Sequence, residues 1–396
     1  MQIADFLIGP YIIMVLVSVM KIKKHEKILA GQLIPLMLIF LWWTLTVTLL
    51  IPFRFNYYTN NELIFSLLKI GKFALYVAAG MLTIRAIADN ATWIKFNWSL
   101  LVSGLIVGIN LIITRSKFVE ILDLNLLIER AYQDNAISTL VAILILYLLG
   151  QKLVGFGTQR WQIAATFALV IMTLGTLLSD GRGGWVGAFV GLFYLLFRLH
   201  YRRTILAILF GLALIIIGYL YFPNFQNQVE RTFWPDQAYL ARYEAGIAGI
   251  DDGVRLTILR REGAKFTEDP ILGRGFYHRG GLSGLMWWGS HNFFAQMFLE
   301  TGIIGGFLIL AIIWNMWRQA GSDIAQAANI DLPVKAAILT ACVSGLSGEY
   351  FYGGTALLAL LLVYGAAGRL PYVRQPAVQD QTVSTTINLS SRQITS

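Results

Sequence analysis

Cysteine is nearly absent. Cys342 is the only one and lies in an apolar run, which excludes a disulfide framework and any cysteine-built metal site. Charge is scarce as well: 13% of the 396 residues are Asp, Glu, Lys or Arg against 57% apolar, a balance that excludes a string of soluble domains. The first apolar run lacks the small-residue cleavage site of a signal peptide. It is followed instead by Lys21, Lys23, Lys24 and Lys27, so it reads as a retained span. The net charge of +9 sits mostly in loops, where basic residues set topology, and nucleic acid is not an expected partner. What is abundant is apolar helix-length sequence, with 11 Trp and 17 Tyr suited to lipid interfaces.

A helix needs about 20 mainly apolar residues to cross the hydrocarbon core. Eleven stretches qualify or nearly so: 3–20, 29–53, 63–84, 97–114, 136–150, 161–178, 184–197, 204–221, 292–316, 333–350 and 354–368. Several fall short of that length and are expected to extend into their flanks, or to tilt or re-enter. The expected fold is therefore all-α, a polytopic bundle of about 11 to 12 spans in the bilayer. An N-terminal bundle covers 1–221, an external loop 222–291, C-terminal membrane helices 292–370 and a polar, disordered tail 371–396.

Alternate connections differ in Lys and Arg content. KIKKHEK, the 85–95, 152–160 and 318–335 connections, RLHYRR and the tail hold about half of the 31 basic residues, so they are assigned to the cytoplasm. The N-terminus and the long loop 222–291 then face outward. That loop is the only sizeable extramembrane piece, with a turn-like start, a helical stretch from about 238 to 268 and a glycine-rich return, GRGFYHRGGLSG.

Three stretches could carry chemistry. In SDGRGGW, residues 179–185, Arg182 is flanked by Gly181, Gly183 and Gly184, which let a backbone or ligand come close. It is either a snorkelling interface arginine or an anion clamp, since guanidinium offers phosphate a planar donor fork. In DDGVRLTILRREGAKFTEDPILGRGF, residues 251–276, Arg255 lies near the start of a helical pattern, while Arg260 and Arg261 suit a solvated face. EDPILGRGF reads as a helix stop and turn. Asp251 and Asp252 could bind a divalent metal, but no histidine or third carboxylate follows at ligand spacing, so no metal is expected. In GSHNFFAQMFLETGIIGG, residues 289–306, His291 opens the ninth span. Glu300 lies deeper, and Gly302, Gly305 and Gly306 permit tight packing. His291 is either a satisfied interfacial histidine or a base: an imidazole of pKa about 6.5 is mostly neutral at pH 7 and can take a hydroxyl proton.

Further candidates are cations and aromatic rings around these stretches. Lys69 and Lys72 share one helical face close to the outer end of the third span, snorkelling or facing a cavity, where they could meet a lipid-borne anion. Arg274 and Arg279 stand in the glycine-rich return, and Asn292 follows His291. Trp287 and Trp288 could stack on sugars or anchor in headgroups. Glu349, at the end of the tenth span, is a possible counter-ion.

SDGRGGW, VRLTILRREGAKFTEDPILGRGF and SHNFFAQMFLETGIIGG, in this order with the last directly after a large external loop, resemble the signature of the O-antigen ligase and polymerase superfamily of integral membrane glycosyltransferases. The resemblance spans about residues 160–320; the chain counts eleven spans where the family often has twelve, with the shortfall at the N-terminus. It implies a metal-independent, cofactor-free enzyme at the outer (periplasmic) face of a bacterial inner membrane. A polyprenyl-diphosphate-linked glycan would be the donor and a glycan or lipid A core the acceptor. Arg182 and Arg255 would hold the diphosphate and His291 would be the catalytic residue. Two other classes compete: a solute or anion transporter using Arg182, Lys69 and Lys72, and an intramembrane serine protease suggested by the GLSG tetrapeptides at 281–284 and 345–348. The single large asymmetric loop favours the enzyme over a transporter of paired broken helices.

Overall fold

The computed structural model describes residues 33–54, 60–86, 90–115, 134–178, 183–199, 263–276, 292–320 and 331–346, with Leu220. Eight long helices appear among them. They are α1 (Leu33–Arg54), α2 (Asn60–Ala86), α3 (Asn90–Arg115), α4 (Asp134–Leu153), α5 (Gln159–Leu178), α6 (Gly183–Leu199), α7 (Phe293–Ala320) and α8 (Asp331–Leu346). No strand occurs among the described residues. The fold is an all-α membrane bundle. Segments of α1, α3 and α7 are long and apolar enough to cross a bilayer, and α4 and α6 contribute shorter apolar helices. The short stretches at 97–114 and 136–150 do extend into their flanks, as α3 and α4. The proposed spans 3–20, 204–221 and 354–368 and the tail lie outside the described residues, apart from Leu220.

In lipid a polar side chain has to find its partner inside the protein, and these helices use their own backbone. Thr44, Thr83, Thr176, Thr301 and Thr340 each donate to the carbonyl four residues earlier, at 2.6–2.8 Å. Asn97 does the same to Trp93 and also accepts the Tyr147 hydroxyl at 3.0 Å, linking α3 to α4. The large apolar side chains left on the surface, such as Trp42, Phe53, Phe167, Phe189 and Trp314, are what a lipid-facing rim requires.

Association between such helices cannot rely on water exclusion, so close backbone approach takes over. α3 meets α5 at Gly108 and Gly175, where a Cβ on Gly175 would lie 2.6 Å from the Gly108 carbonyl oxygen. α4 meets α8 at Gly150, where a Cβ would lie 2.8 Å from the Cα of Pro333. α6 brings Gly184 against Ser138 of α4, and Gly187 and Gly191 against Ser344 and Thr340 of α8.

These contacts also fix the direction of each helix. The start of α6 meets the start of α4 and the end of α8, while Tyr194 near the end of α6 packs on Trp317 near the end of α7, ring centroids 5.6 Å apart. Lys335 at the start of α8 lies over the same Trp317 ring. Arg54, Gly183 and Asn292 therefore share one end of the bundle, called the site end below, and Trp93, Phe156, Trp161 and Trp317 share the other.

One expected span differs in form. The stretch 292–316 is not one helix: α7 breaks at Gly302, with φ 67° and ψ −173°. That region of backbone space is essentially reserved for glycine. The glycine read from sequence as a packing residue is a joint between a short helix, 293–301, and a longer one, 303–320.

Replacing Gly302 by Ala costs about 1–3 kcal/mol for the backbone conformation alone. The added Cβ would also clash with the Ile271 carbonyl oxygen. Gly302→Ala is expected to lower the melting temperature of the purified chain and the yield of folded protein. Gly71→Ala, with no described neighbour within 4 Å, should be neutral or slightly stabilising; equal melting of the two variants would mean that the joint is not needed.

Candidate functional site

Around the break at Gly302 four backbone groups of α7 bond to partners outside the helix. A segment of the long loop, 263–276, supplies three of the partners. The N–H groups of Arg274 and Gly275 donate to the carbonyls of Leu299 at 2.9 Å and Glu300 at 2.7 Å, and the Ile303 N–H donates to Pro270 at 2.7 Å. The Thr301 carbonyl accepts the indole N–H of Trp43 on α1 at 2.8 Å. Gly305 has no side chain to keep that indole away: a Cβ there would sit 3.2 Å from Trp43 Cδ1.

The loop segment is a strap with its own internal logic. A helical turn at 263–266 ends as Thr267 Oγ1 donates to Ala264 at 2.6 Å, and the Gly273 N–H closes the next turn on the Asp269 carbonyl at 3.0 Å. Gly273 and Gly275 have φ of 68° and 96°, and a Cβ on Gly273 would clash with Gly302 N, so two glycine backbones lie against each other. Arg54, in the last turn of α1, donates to the Gly273 carbonyl at 2.8 Å and forms an ion pair with Asp269. Phe276 ends the strap inside the bundle. Its N–H donates to Thr48 Oγ1 at 3.1 Å and its ring meets Phe73 of α2 edge-on at 6.2 Å.

Of the residues singled out from sequence, Arg182, Arg255, His291, Arg279, Trp287, Trp288 and Glu349 lie outside the described residues, as do Asp251 and Asp252. Their described neighbours are informative. Gly183, next to Arg182, has its carbonyl held by Ser344 Oγ at 3.0 Å. Asn292, next to His291, caps α7: its Oδ1 accepts the Ala295 N–H at 3.0 Å and its carbonyl the Gln296 N–H at 3.0 Å. Both anchors are at the site end.

The remaining candidates are described directly. Glu300 is 0% exposed and accepts from the Gln296 amide one turn earlier, so its carboxylate is enclosed by the protein. Arg274 is 5% exposed and pairs with Glu268; its Nε has no partner among the described residues. Glu268 itself is well exposed. A hydrogen bond from Lys265, joined by Arg274, holds its carboxyl below the usual carboxylate range, so its contribution is present at neutral pH and fades as pH falls through the lowered value.

Lys69 and Lys72 are half-buried on α2, with Lys72 over the Tyr76 ring at 5.6 Å. Because α2 begins at Asn60, they lie about 14 and 18 Å along the helix at 1.5 Å per residue. Phe73, beside Lys72, is the residue that Phe276 touches, so the strap reaches to their depth.

Sequence reading missed Arg54, Trp43 and Thr48, whose partners are 219, 258 and 228 residues away. No local pattern announces such pairs. The only signal was an arginine closing an apolar helix just after Pro52.

No metal-capable cluster of His, Cys, Asp and Glu occurs among the described residues. Among the described residues the cations beside the joint are paired with carboxylates, Arg54 with Asp269 and both Arg274 and Lys265 with Glu268. Asn292→Ala should cost about 1 kcal/mol and Asn292→Asp very little, read as the thermal midpoint of the purified chain; equal losses in both would mean that the capping bond is not what the side chain contributes.

No curated protein matches the chain. Residues 167–310 match the family model described as O-Antigen ligase, from within α5 through the strap and the joint into α7, and that match supports the O-antigen ligase and polymerase superfamily for this chain.

Proposed function

We propose that the chain is a membrane glycosyltransferase that moves or polymerises a polyprenyl-diphosphate-linked glycan at the outer face of the bacterial inner membrane. The observation that carries this reading is the common position of the anchors: Gly183, the strap that continues the Arg255 stretch, and Asn292 all stand at one end of the bundle. An enzyme whose arginines and histidine act on one lipid-borne molecule needs that arrangement.

In this reading Arg182 and Arg255 hold the diphosphate, and His291 accepts the proton of the acceptor hydroxyl. The acceptor oxygen forms its bond to the anomeric carbon as the bond from that carbon to the phosphate oxygen breaks. The diphosphate leaves with the bonding electron pair, and inversion is the expected stereochemical outcome. A diphosphate is already a good leaving group, so the charge developing on it needs guanidinium donors and no general acid or metal. Lys69 and Lys72, on α2, extend positive charge toward a carrier lying in the leaflet. Arg279, Trp287, Trp288 and Glu349 would complete the walls, the tryptophans stacking on sugar.

The burial of Glu300 and the Arg274–Glu268 pair favour a supporting role for these residues over direct contact with glycan. The features described all bear on the donor and none on a lipid A core, which favours polymerisation over ligation.

The test is purified protein incubated with a polyprenyl-diphosphate-linked glycan and each acceptor class, reading chain length and released lipid diphosphate. His291→Ala should lose transfer while keeping its thermal midpoint, and Arg182→Lys should also fail because an ammonium lacks the planar fork. Chelator should leave the rate unchanged. Transfer at the wild-type rate by His291→Ala removes the base assignment, and a strict divalent requirement points back to Asp251 and Asp252.

A further inference from the structure

Two stretches that carry the proposed chemistry converge on the Gly302 joint. His291 precedes the 293–301 half of α7, and Arg255 stands eight residues before the strap begins at Gly263. Both stretches are continuous in sequence with parts that meet where the strap sits in the break. Its three backbone bonds to α7 fix it along that helix. Its turn, from Asp269 to Gly273, is held from the opposite side by Arg54.

Arg54 grips both ends of that turn at once, the Asp269 carboxylate through one terminal nitrogen and the Gly273 carbonyl through the other, at 2.8 Å. The planar guanidinium is rigid, so the two contacts together set the orientation of the turn as well as its distance from α1. Gly273 is also the residue whose backbone lies against Gly302. A shift of the turn is thereby a shift of the joint. Trp43 and Thr48 on the same helix hold Thr301 and Phe276, which makes α1 a splint along both parts.

We propose that Arg54 is a positioning residue for transfer: by clamping Asp269 and the Gly273 carbonyl together it seats in the α7 break the strap that continues the Arg255 stretch. This rests on the glycosyltransferase reading, in which Arg255 and His291 serve one donor. Arg54 itself touches no substrate. A misplacement of about 1 Å in a two-group site is enough to lower turnover on the order of 100-fold.

The experiment uses the full chain in nanodiscs. Arg54→Lys keeps the charge and loses the fork; Asp269→Asn alters the other partner and serves if the first variant fails to fold. Two readouts are taken for each: hydrogen exchange at the amides of Arg274, Gly275 and Ile303, and the rate of transfer from a polyprenyl-diphosphate-linked glycan. The expected result is selective loss of protection at those three amides. It should be accompanied by a fall in kcat of roughly 10- to 100-fold, with KM for the donor within about threefold of wild type. Unchanged protection overturns the proposal, and so does lost protection with unchanged kcat. A rise in KM at constant kcat overturns it as well, since it would make Arg54 a donor-binding group. If the wild-type chain itself transfers no glycan, the glycosyltransferase reading falls with this role for Arg54, while the exchange result still decides whether Arg54 seats the strap.

Discussion

A backbone hydrogen bond broken inside a membrane protein has to be replaced from within the protein, because lipid offers neither donor nor acceptor. At Gly302 that requirement organises everything around it. Three carbonyls and one amide beside the break bond to a stretch of the distant loop and an indole from α1. Those partners arrive with fixed geometry, and the strap, the first half of α7 and the end of α1 become one body.

The bundle behind this body is held by a different device. Pairs of small residues let α3 meet α5, and let α6 lie against α4 and α8, at distances where a single methyl group would collide. The same contacts run directly up to Gly183, so the residue after Arg182 begins in a packed helix. One set of glycines packs the bundle and another, Gly273, Gly275 and Gly302, shapes the joint and strap.

Much of the fold was legible in the sequence because a membrane span is a statement about composition and length. Runs such as LIPLMLIFLWWTLTVTLLIPFR leave no competing assignment, and the flanks of α3 and α4 filled out as bilayer thickness requires. EDPILGRGF was legible as a turn from Pro270, Gly273 and Gly275. Its destination was not, since nothing near it in sequence names α7 or Arg54. Gly302 was read as a close-packing residue because GIIGG keeps the apolar pattern of a helix on both sides of the break. The helix carrying Lys69 and Lys72 begins at Asn60, three residues before the expected span, so both lie further along it than the sequence suggested. The motif order that suggested the family survives comparison, with the match covering 167–310.

The joint in α7 also bears on how the helix lies in the lipid around it. After Gly302 about 18 residues remain, which at 1.5 Å per residue reach about 27 Å, somewhat less than the roughly 30 Å of a typical hydrocarbon core. The apolar 293–301 half supplies the remaining length, so the two halves together exceed the thickness of the core. Two helices that meet at one glycine can take different tilts in the bilayer, each set by its own packing partners.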